Sequence, residues 1–136
     1  MTETVELSID SKLEFVDLVA SVTKSVTTKM GFSEDDASWI ELAVHEAVIN
    51  AITHGNKSAD DKQVDVRFVA ERDGLTVYVR DYGAGFDPST LPDPTDEANL
   101  LNPSGRGIFY MRTFMDEVDH SIHPEGGSLV RLKKQK

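Results

Sequence analysis

The sequence of 136 residues contains no cysteine, which excludes both a disulfide framework and a thiolate metal site. Long apolar runs are also missing, so no segment reaches the length that a membrane-spanning helix requires. The N-terminal residues are acidic and lack the apolar core of a signal peptide. We therefore expect a cytoplasmic protein without membrane association.

Positive charge is scarce in this chain. The 14 basic residues stand against 24 acidic ones, which gives a formal charge of −10, and the basic residues cluster only between Arg131 and Lys136. A chain this acidic repels nucleic acid and anionic lipid, so direct nucleic-acid binding is not expected. A nucleotide could still bind, because backbone N–H groups and Mg²⁺ hold phosphate without a basic surface.

Several common nucleotide and metal motifs are absent as well. No P-loop sequence is present, and Pro88 and Tyr110 stand where the two glycine pairs would need a third glycine for the dinucleotide fingerprint. The H-R-D and D-F-G elements of eukaryotic-type protein kinases are missing. The four histidines show no H-E-x-x-H spacing, which argues against a zinc hydrolase.

Alternating apolar residues predict strands near 5–9, 64–68, 75–79, 118–122 and 128–132. Asp73-Gly74 predicts a hairpin between the second and third strands, and the last two strands form another around 123–127. With the helices between them, this order predicts an α+β fold in one domain over residues 1–136. The expected architecture is a two-layer α/β sandwich, in which a mixed, mostly antiparallel sheet carries the helices on one face.

Helical spacing predicts one helix over 13–29, with Asp10 and Ser11 as its capping residues and Gly31 at its end. A second helix is predicted from the cap Ser33 to His54, and its nearly all-round apolar character predicts a central position. A short helix over 107–115 follows a long aperiodic stretch. Loops of that length in compact domains are usually functional or mobile.

A polar stripe interrupts the second helix. At about 100° per residue, its members lie within an arc of roughly 100°: Glu46, Asn50, Thr53 and His54. The stripe either faces solvent or lines a ligand site. In the second case an asparagine oxygen suits Mg²⁺, and a glutamate one turn earlier suits a general base at a terminal phosphate.

Two glycine loops are the other candidate features. Asp81-Tyr82-Gly83-Ala84-Gly85-Phe86 follows a strand and is either an ordinary turn or a ligand site. In the second case the glycines let the backbone approach a flat ligand, and the aspartate accepts a hydrogen bond from an amine of that ligand. Ser104-Gly105-Arg106-Gly107 leads into a helix, and it is either a hinge or a phosphate site supported by the arginine.

The order of these three features resembles the GHKL ATPase superfamily of gyrase, heat-shock chaperone, histidine kinase and MutL type. Residues 46–55, EAVINAITHG, resemble its N box. Residues 105–111 and 114–118, GRGIFYM and FMDEV, are similar to the C-terminal segment of the bacterial anti-sigma-factor serine-protein kinases of the RsbW and SpoIIAB type. The resemblance covers nearly the whole chain and implies the GHKL, or Bergerat, ATP-binding fold.

The resemblance also implies roles for individual residues. Glu46 matches the catalytic base, Asn50 the Mg²⁺ ligand, and Asp81 the acceptor for the adenine amine. Residues 87–104 match a lid over the phosphates. The other positions expected to contact ATP are His54, Gly83, Gly85, Phe86, Gly105, Arg106, Gly107 and Ser128, the last standing where the family often has a threonine.

The function implied is that of an ATP- and Mg²⁺-dependent anti-sigma factor that phosphorylates a serine of an antagonist with a STAS domain. Its expected partners are a sigma factor, the antagonist and a second copy in a homodimer. A chain of 136 residues holds the ATP-binding domain alone, which favours a freestanding kinase over a histidine kinase or a fragment of a larger ATPase. The alternative is a non-catalytic ATP-binding module that sequesters a partner, although such a module needs no base at Glu46.

Overall fold

The computed structural model describes residues 2–84 and 111–136. Their strands form one five-stranded sheet in the order β1-β2-β3-β5-β4. The strands are β1 (Glu3–Asp10), β2 (Gln63–Glu71), β3 (Gly74–Arg80), β4 (Glu117–Ile122) and β5 (Ser128–Gln135). The long helices are α1 (Val16–Met30) and α2 (Glu34–Asn50), with a 3₁₀ turn at Leu13–Phe15 and a π-helical turn at Ala51–Gly55. Residues 111–114 are also helical.

The predicted α+β sandwich is confirmed, and every pairing within the described part of the sheet is antiparallel. Alternate strand residues point toward α1 and α2 and are buried, as the sequence alternation predicts. They include Val66, Val79 and Val130, which are cross-strand neighbours on β2, β3 and β5. Helix α2 lies against α1 and against strands β3 and β5, so its predicted central position is confirmed.

The predicted helix ends at Gly31 and Ser33 are correct, and the predicted caps Asp10 and Ser11 are wrong. Gly31 ends α1 with a φ of 81°, and the Ser33 hydroxyl caps α2 by accepting from the Asp36 N–H at 3.1 Å. Asp10 and Ser11 do not cap α1, because the chain first makes the 3₁₀ turn and no side chain bonds to its start. The buried Ser11 hydroxyl instead donates to the Lys62 carbonyl at 2.6 Å, which joins the ends of β1 and β2.

The predicted hairpins are both present. Arg72 and Asp73 form the turn between β2 and β3, and Gly74 already pairs within β3.

An aromatic contact fixes the helical residues 111–114 against α2. Trp39 of α2 stacks on Phe114, with ring centroids 3.7 Å apart and planes 5° apart. Within the described residues, no helix is long and apolar enough to cross a membrane.

Part of the sequence-based site lies outside the described residues. This holds for the positions Gly85, Phe86, Gly105, Arg106 and Gly107, for the predicted lid over 87–104, and for the start of the predicted helix over 107–115. The described part of the site belongs to α2, the π turn, the end of β3 and the start of β5.

Candidate functional site

Asp81 is almost fully enclosed. It follows the last residue of β3 and is only 1% exposed. Its Oδ1 accepts hydrogen bonds from the backbone N–H groups of Gly83 and Ser128, both at 3.1 Å. Its own N–H donates to the Ser128 carbonyl at 3.0 Å. Backbone donors on two segments thus hold the carboxylate in one orientation.

Glycines stand at three positions around Asp81 because side chains would not fit there. A Cβ at Gly55 would overlap Oδ2 of Asp81, and a Cβ at Gly83 would overlap the Gly55 carbonyl oxygen. A Cβ at Gly127, whose φ is +84°, would likewise overlap the Asp81 carbonyl oxygen. The end of the α2 segment, the loop after β3 and the turn before β5 therefore meet around one aspartate.

The second oxygen of Asp81 remains available as an acceptor. Within the described residues no donor bonds to Oδ2, while both bonds to the carboxylate go to Oδ1. An ionised carboxylate accepts through both oxygens, and a donor reaching it in a buried site forms a strong, charge-assisted hydrogen bond. The geometry therefore suits recognition of an amine or amide N–H on a ligand.

The polar stripe of α2 does not simply face solvent. Asn50 is 5% exposed, and its side-chain amide forms no hydrogen bond with any described residue. The Glu46 side chain is 25% exposed, and its Oε1 lies 3.8 Å from Nδ1 of His45. The stripe thus offers the amide of a largely buried asparagine, unpaired within the described residues, and, one turn earlier, a carboxylate that solvent can reach. The amide oxygen is suited to bind a hard cation, and the carboxylate is suited to accept a proton.

The remaining stripe residues lie on the π-helical turn. Thr53 donates its hydroxyl to the Ile49 carbonyl at 2.8 Å, and His54 is half-buried. The turn widens because the Asn56 N–H donates to the Ala51 carbonyl, five residues back, at 2.8 Å. Single π turns occur often at functional sites, since they redirect the chain without ending the helix. Here the widened turn places Gly55 against Asp81.

Asn56 is a site residue that sequence reasoning missed. It is 2% exposed, and its Nδ2 donates to Ser11 Oγ and to the Gln63 carbonyl, both at 2.9 Å. Its Oδ1 accepts from the Tyr82 N–H at 2.8 Å. The three bonds tie the π turn to the ends of β1 and β3 and to the start of β2. The available signal was an asparagine directly after a helix-ending glycine, but its partners lie 45, 7 and 26 positions away.

Tyr82 anchors the loop from its other side. Its hydroxyl donates a short hydrogen bond to Oδ2 of Asp65, and the Arg80 guanidinium lies 4.3 Å from its ring centroid. The hydrogen bond to Asp65 is the main cause that raises the pKa of Tyr82 above its ordinary value of 10.0, because ionisation would remove the donated proton. Backbone and side chain of Tyr82 are thus both fixed.

The structure brings Asp81, Gly83 and Ser128 together, with the end of the α2 segment beside them. Ser128 is 1% exposed and contacts the aspartate through its backbone, and its predicted contact with adenine stays a prediction. Glu46 and Asn50 lie on α2, the helix that leads into this junction. Their assignment as base and metal ligand stays a prediction.

Comparison with known proteins identifies the family. Residues 9–134 match the model of the histidine kinase-like ATPase domain. The serine-protein kinase RsbW of Bacillus licheniformis is 32% identical over 136 residues, covering 96% of this chain and 84% of that protein. The proteins of the same name from Bacillus pumilus and Listeria monocytogenes are 32% and 30% identical, and each comparison covers 98% of this chain and 88% of the relative.

These matches include the α2 stripe, Asp81 and Ser128, and the antiparallel sheet with helices on one face agrees with them. A buried aspartate at the end of a strand, set among glycines and with one oxygen unpaired among the described residues, supplies the structural counterpart of the sequence motif. By the extent of the family match, and not by the motifs alone, this chain belongs to the histidine kinase-like ATPase domain family.

Proposed function

We propose that this chain is an anti-sigma factor that uses Mg·ATP to phosphorylate a serine of an antagonist protein with a STAS domain. The observation that carries the proposal is the position on α2, one turn apart, of the largely buried Asn50, whose amide is unpaired within the described residues, and the partly exposed carboxylate of Glu46. The relatives named serine-protein kinase support the transfer to serine.

Three residues receive roles in this proposal. Asp81 accepts the adenine amine through Oδ2, since its Oδ1 is occupied by backbone donors. Asn50 holds Mg²⁺ through its amide oxygen, and the ion offsets the charge of the phosphates when bound. Glu46 accepts the proton of the serine hydroxyl while that oxygen attacks the terminal phosphorus and ADP leaves.

The donor set fits the proposed metal. The described residues contain no group of three or more His, Cys, Asp or Glu side chains able to hold a metal ion. A single amide oxygen matches Mg²⁺, which usually keeps several waters and binds through few protein ligands together with substrate phosphates. His54, Gly83 and Ser128, with the positions outside the described residues, complete the proposed nucleotide site.

The proposed partners are the antagonist, a sigma factor and a second copy of the chain in a homodimer, all acting in the cytoplasm. Each protein partner would favour one nucleotide state, so ATP would favour the sigma-bound complex and phosphorylation would release the antagonist. The net charge of −10 requires basic or apolar docking surfaces on partners that meet the acidic parts of the chain.

The deciding experiment incubates the protein with Mg·ATP and a candidate antagonist and looks for phosphoserine by mass spectrometry. We expect a phosphoserine that disappears when EDTA replaces Mg²⁺. Pull-down with ATP or ADP then tests the partner exchange. Nucleotide binding without phosphoserine on any antagonist, together with capture of another protein, would favour the non-catalytic sequestering module instead.

A further inference from the structure

Trp39 is the only tryptophan of the chain and the one large apolar side chain of α2 that is exposed, at 37%. Its ring lies parallel to the ring of Phe114, with the two centroids 3.7 Å apart. We call these two side chains the aromatic pair. Large aromatic side chains contribute strongly to binding at protein surfaces, so an exposed one on the helix that carries the candidate site needs an account.

The core and strand β5 hold the aromatic pair in place. Met111 and Met115, on either side of Phe114 in sequence, are buried in the core. Lys134 on β5 donates from its Nζ to the Phe114 carbonyl oxygen at 3.1 Å. The Phe114 backbone is therefore fixed, and its ring lies against Trp39 in one orientation. A surface that is already ordered loses little side-chain entropy when a partner covers it.

Trp39 lies on the same side of α2 as the two candidate site residues of that helix. At about 100° per residue, Trp39, Glu46 and Asn50 fall within an arc of about 40°. At a rise of about 1.5 Å per residue, Trp39 lies about 10 Å before Glu46 along the axis, and Asn50 lies about 6 Å after it. Exposure decreases in the same direction, from the exposed Trp39 through the partly exposed Glu46 to the buried Asn50. The row therefore leads from the surface into the candidate site.

The row also follows the order of the proposed nucleotide contacts. Gly55 lies against Asp81, the proposed adenine acceptor, just beyond the C-terminal end of α2. Asn50, the proposed metal ligand, and Glu46, the proposed base, come next toward the N-terminus of the helix. With the adenine at Asp81 and the phosphates at Asn50, the acceptor serine reaches Glu46 from the side away from the nucleotide. Trp39 lies on that side.

We propose that the aromatic pair is the docking platform for the segment of the antagonist that carries the acceptor serine. It contacts an apolar side chain about 10 Å from the serine hydroxyl, which is the distance between Trp39 and Glu46 along α2. An apolar side chain is the expected counterpart, because two stacked rings offer a flat surface with few polar atoms. This inference rests on the proposed function, and it makes Trp39 a specificity-determining residue that does not touch the reacting atoms.

The requirement for a serine favours the antagonist over the other proposed partners. A sigma factor and a second copy of the chain bring no group that has to reach Glu46, whereas the acceptor serine has to lie at its carboxylate during transfer. With the serine there, a residue about three positions away in an extended segment comes within reach of Trp39. The proposed catalytic geometry thus selects one partner for the aromatic pair.

The test uses the full chain and the antagonist in which the phosphoserine experiment finds the modification. Trp39→Ala removes the flat surface and should raise the KM for the antagonist about tenfold or more. Its kcat at saturating antagonist and its affinity for Mg·ATP should stay within about twofold of the parent. Trp39→Phe keeps a ring for the stack and should recover most of the lost affinity. Leu13→Ala removes an exposed apolar side chain outside α2 and should keep the parental KM.

A second readout needs no variant of the chain. Biosynthetic labelling with 5-fluorotryptophan gives a single fluorine NMR signal, because Trp39 is the only tryptophan. The probe is the unlabelled antagonist with its acceptor serine replaced by alanine, added together with Mg·ATP. It should shift the signal and reduce the difference in chemical shift between H₂O and D₂O, because the ring becomes covered.

The outcomes separate this inference from the proposed function. A parent that phosphorylates no antagonist contradicts both, whereas transfer by the parent with an unchanged KM in Trp39→Ala overturns the docking platform alone. Equal KM changes in Trp39→Ala and Leu13→Ala, an equal loss in Trp39→Phe, or a loss of Mg·ATP affinity in Trp39→Ala would also overturn it. So would a fluorine signal that saturating antagonist leaves unchanged, or one that self-association of the chain covers without the antagonist.

Discussion

Asp81 and Ser128 bond to each other in both directions across 47 positions of sequence. The Asp81 N–H donates to the Ser128 carbonyl at 3.0 Å, and the Ser128 N–H donates to the Asp81 carboxylate at 3.1 Å. The first bond continues the pairing of β3 with β5, and the second directs the side chain. The acceptor is therefore oriented before any ligand arrives, which lowers the ordering cost of binding.

Replacing Asp81 by Asn should weaken ATP binding by about 10- to 100-fold, because a donor would then face the adenine amine where a charged acceptor stood. Titration calorimetry with ATP and GTP measures the effect. Asp60→Asn, in an exposed loop, makes the same chemical change away from the site and should bind ATP like the parent. Equal affinity of the parent for ATP and GTP would contradict the adenine assignment.

Glu46→Gln should keep ATP binding but lower phosphoryl transfer by about 10²–10⁴-fold, the range typical of removing a general base. Single-turnover transfer to the antagonist measures the step directly. Glu41→Gln lies on the same helix but off the polar stripe and should transfer at the parental rate. Undiminished transfer by the Glu46 variant would leave that residue with a structural role only.

Asn50→Ala should remove most of the advantage that Mg²⁺ gives to ATP binding, measured as the ratio of affinities with Mg²⁺ and with EDTA. Because the amide has no hydrogen-bond partner among the described residues, its loss should change the free energy of unfolding by less than about 1 kcal/mol. A large stability loss with an unchanged Mg²⁺ ratio is the pattern of a purely structural asparagine.

Asn56→Leu should destabilise the fold by about 2–4 kcal/mol, since the three hydrogen bonds of a buried side chain are lost and their partners are left unpaired. Urea unfolding gives the number, with Asn50→Ala as the matched asparagine control. We also expect weaker ATP binding by the folded variant, because the Tyr82 N–H next to Asp81 loses its acceptor. A loss below about 1 kcal/mol would show that Asn56 does not hold the loop.

The Tyr82 hydroxyl should ionise at higher pH than an ordinary tyrosine, because it donates to Asp65. Its folded pKa exceeds its unfolded value. The associated stability is therefore fully present below the unfolded pKa and is lost as pH rises through the folded one. Ultraviolet titration of the parent and of Tyr82→Phe isolates this group. Asp65→Asn should lower the pKa, and an unchanged value in that variant would exclude Asp65 as the cause.

The sequence predicted the fold well because the relevant patterns are local. The alternation of β2 and β3, the Ser33 cap and the Gly31 end each depend on neighbouring residues. Ser11 was misassigned for the opposite reason, since its hydroxyl partner, Lys62, lies 51 positions away. No local rule could choose between a helix cap and that distant carbonyl.

The candidate site was predicted only in part, because local patterns reveal some of its residues but not the contacts between distant segments. The α2 stripe and Asp81 stood out because polar residues interrupted apolar patterns, and the buried Asn50 excludes a simply solvent-facing stripe. Periodicity could not show which oxygen of Asp81 is free, since that depends on Ser128 in a different strand.

The packing of Gly55, Gly83 and Gly127 around Asp81 has a consequence for how the protein tolerates mutation. Three positions far apart in the chain constrain one small volume, so a scan of substitutions should find them intolerant together. Their effects should not add, because a side chain at Gly55 would displace the Asp81 side chain, one at Gly83 the Gly55 backbone and one at Gly127 the Asp81 backbone, so each change moves an atom group that another one meets. Compensation at one of these glycines is therefore expected from changes near Asp81, and not from residues adjacent to that glycine in sequence.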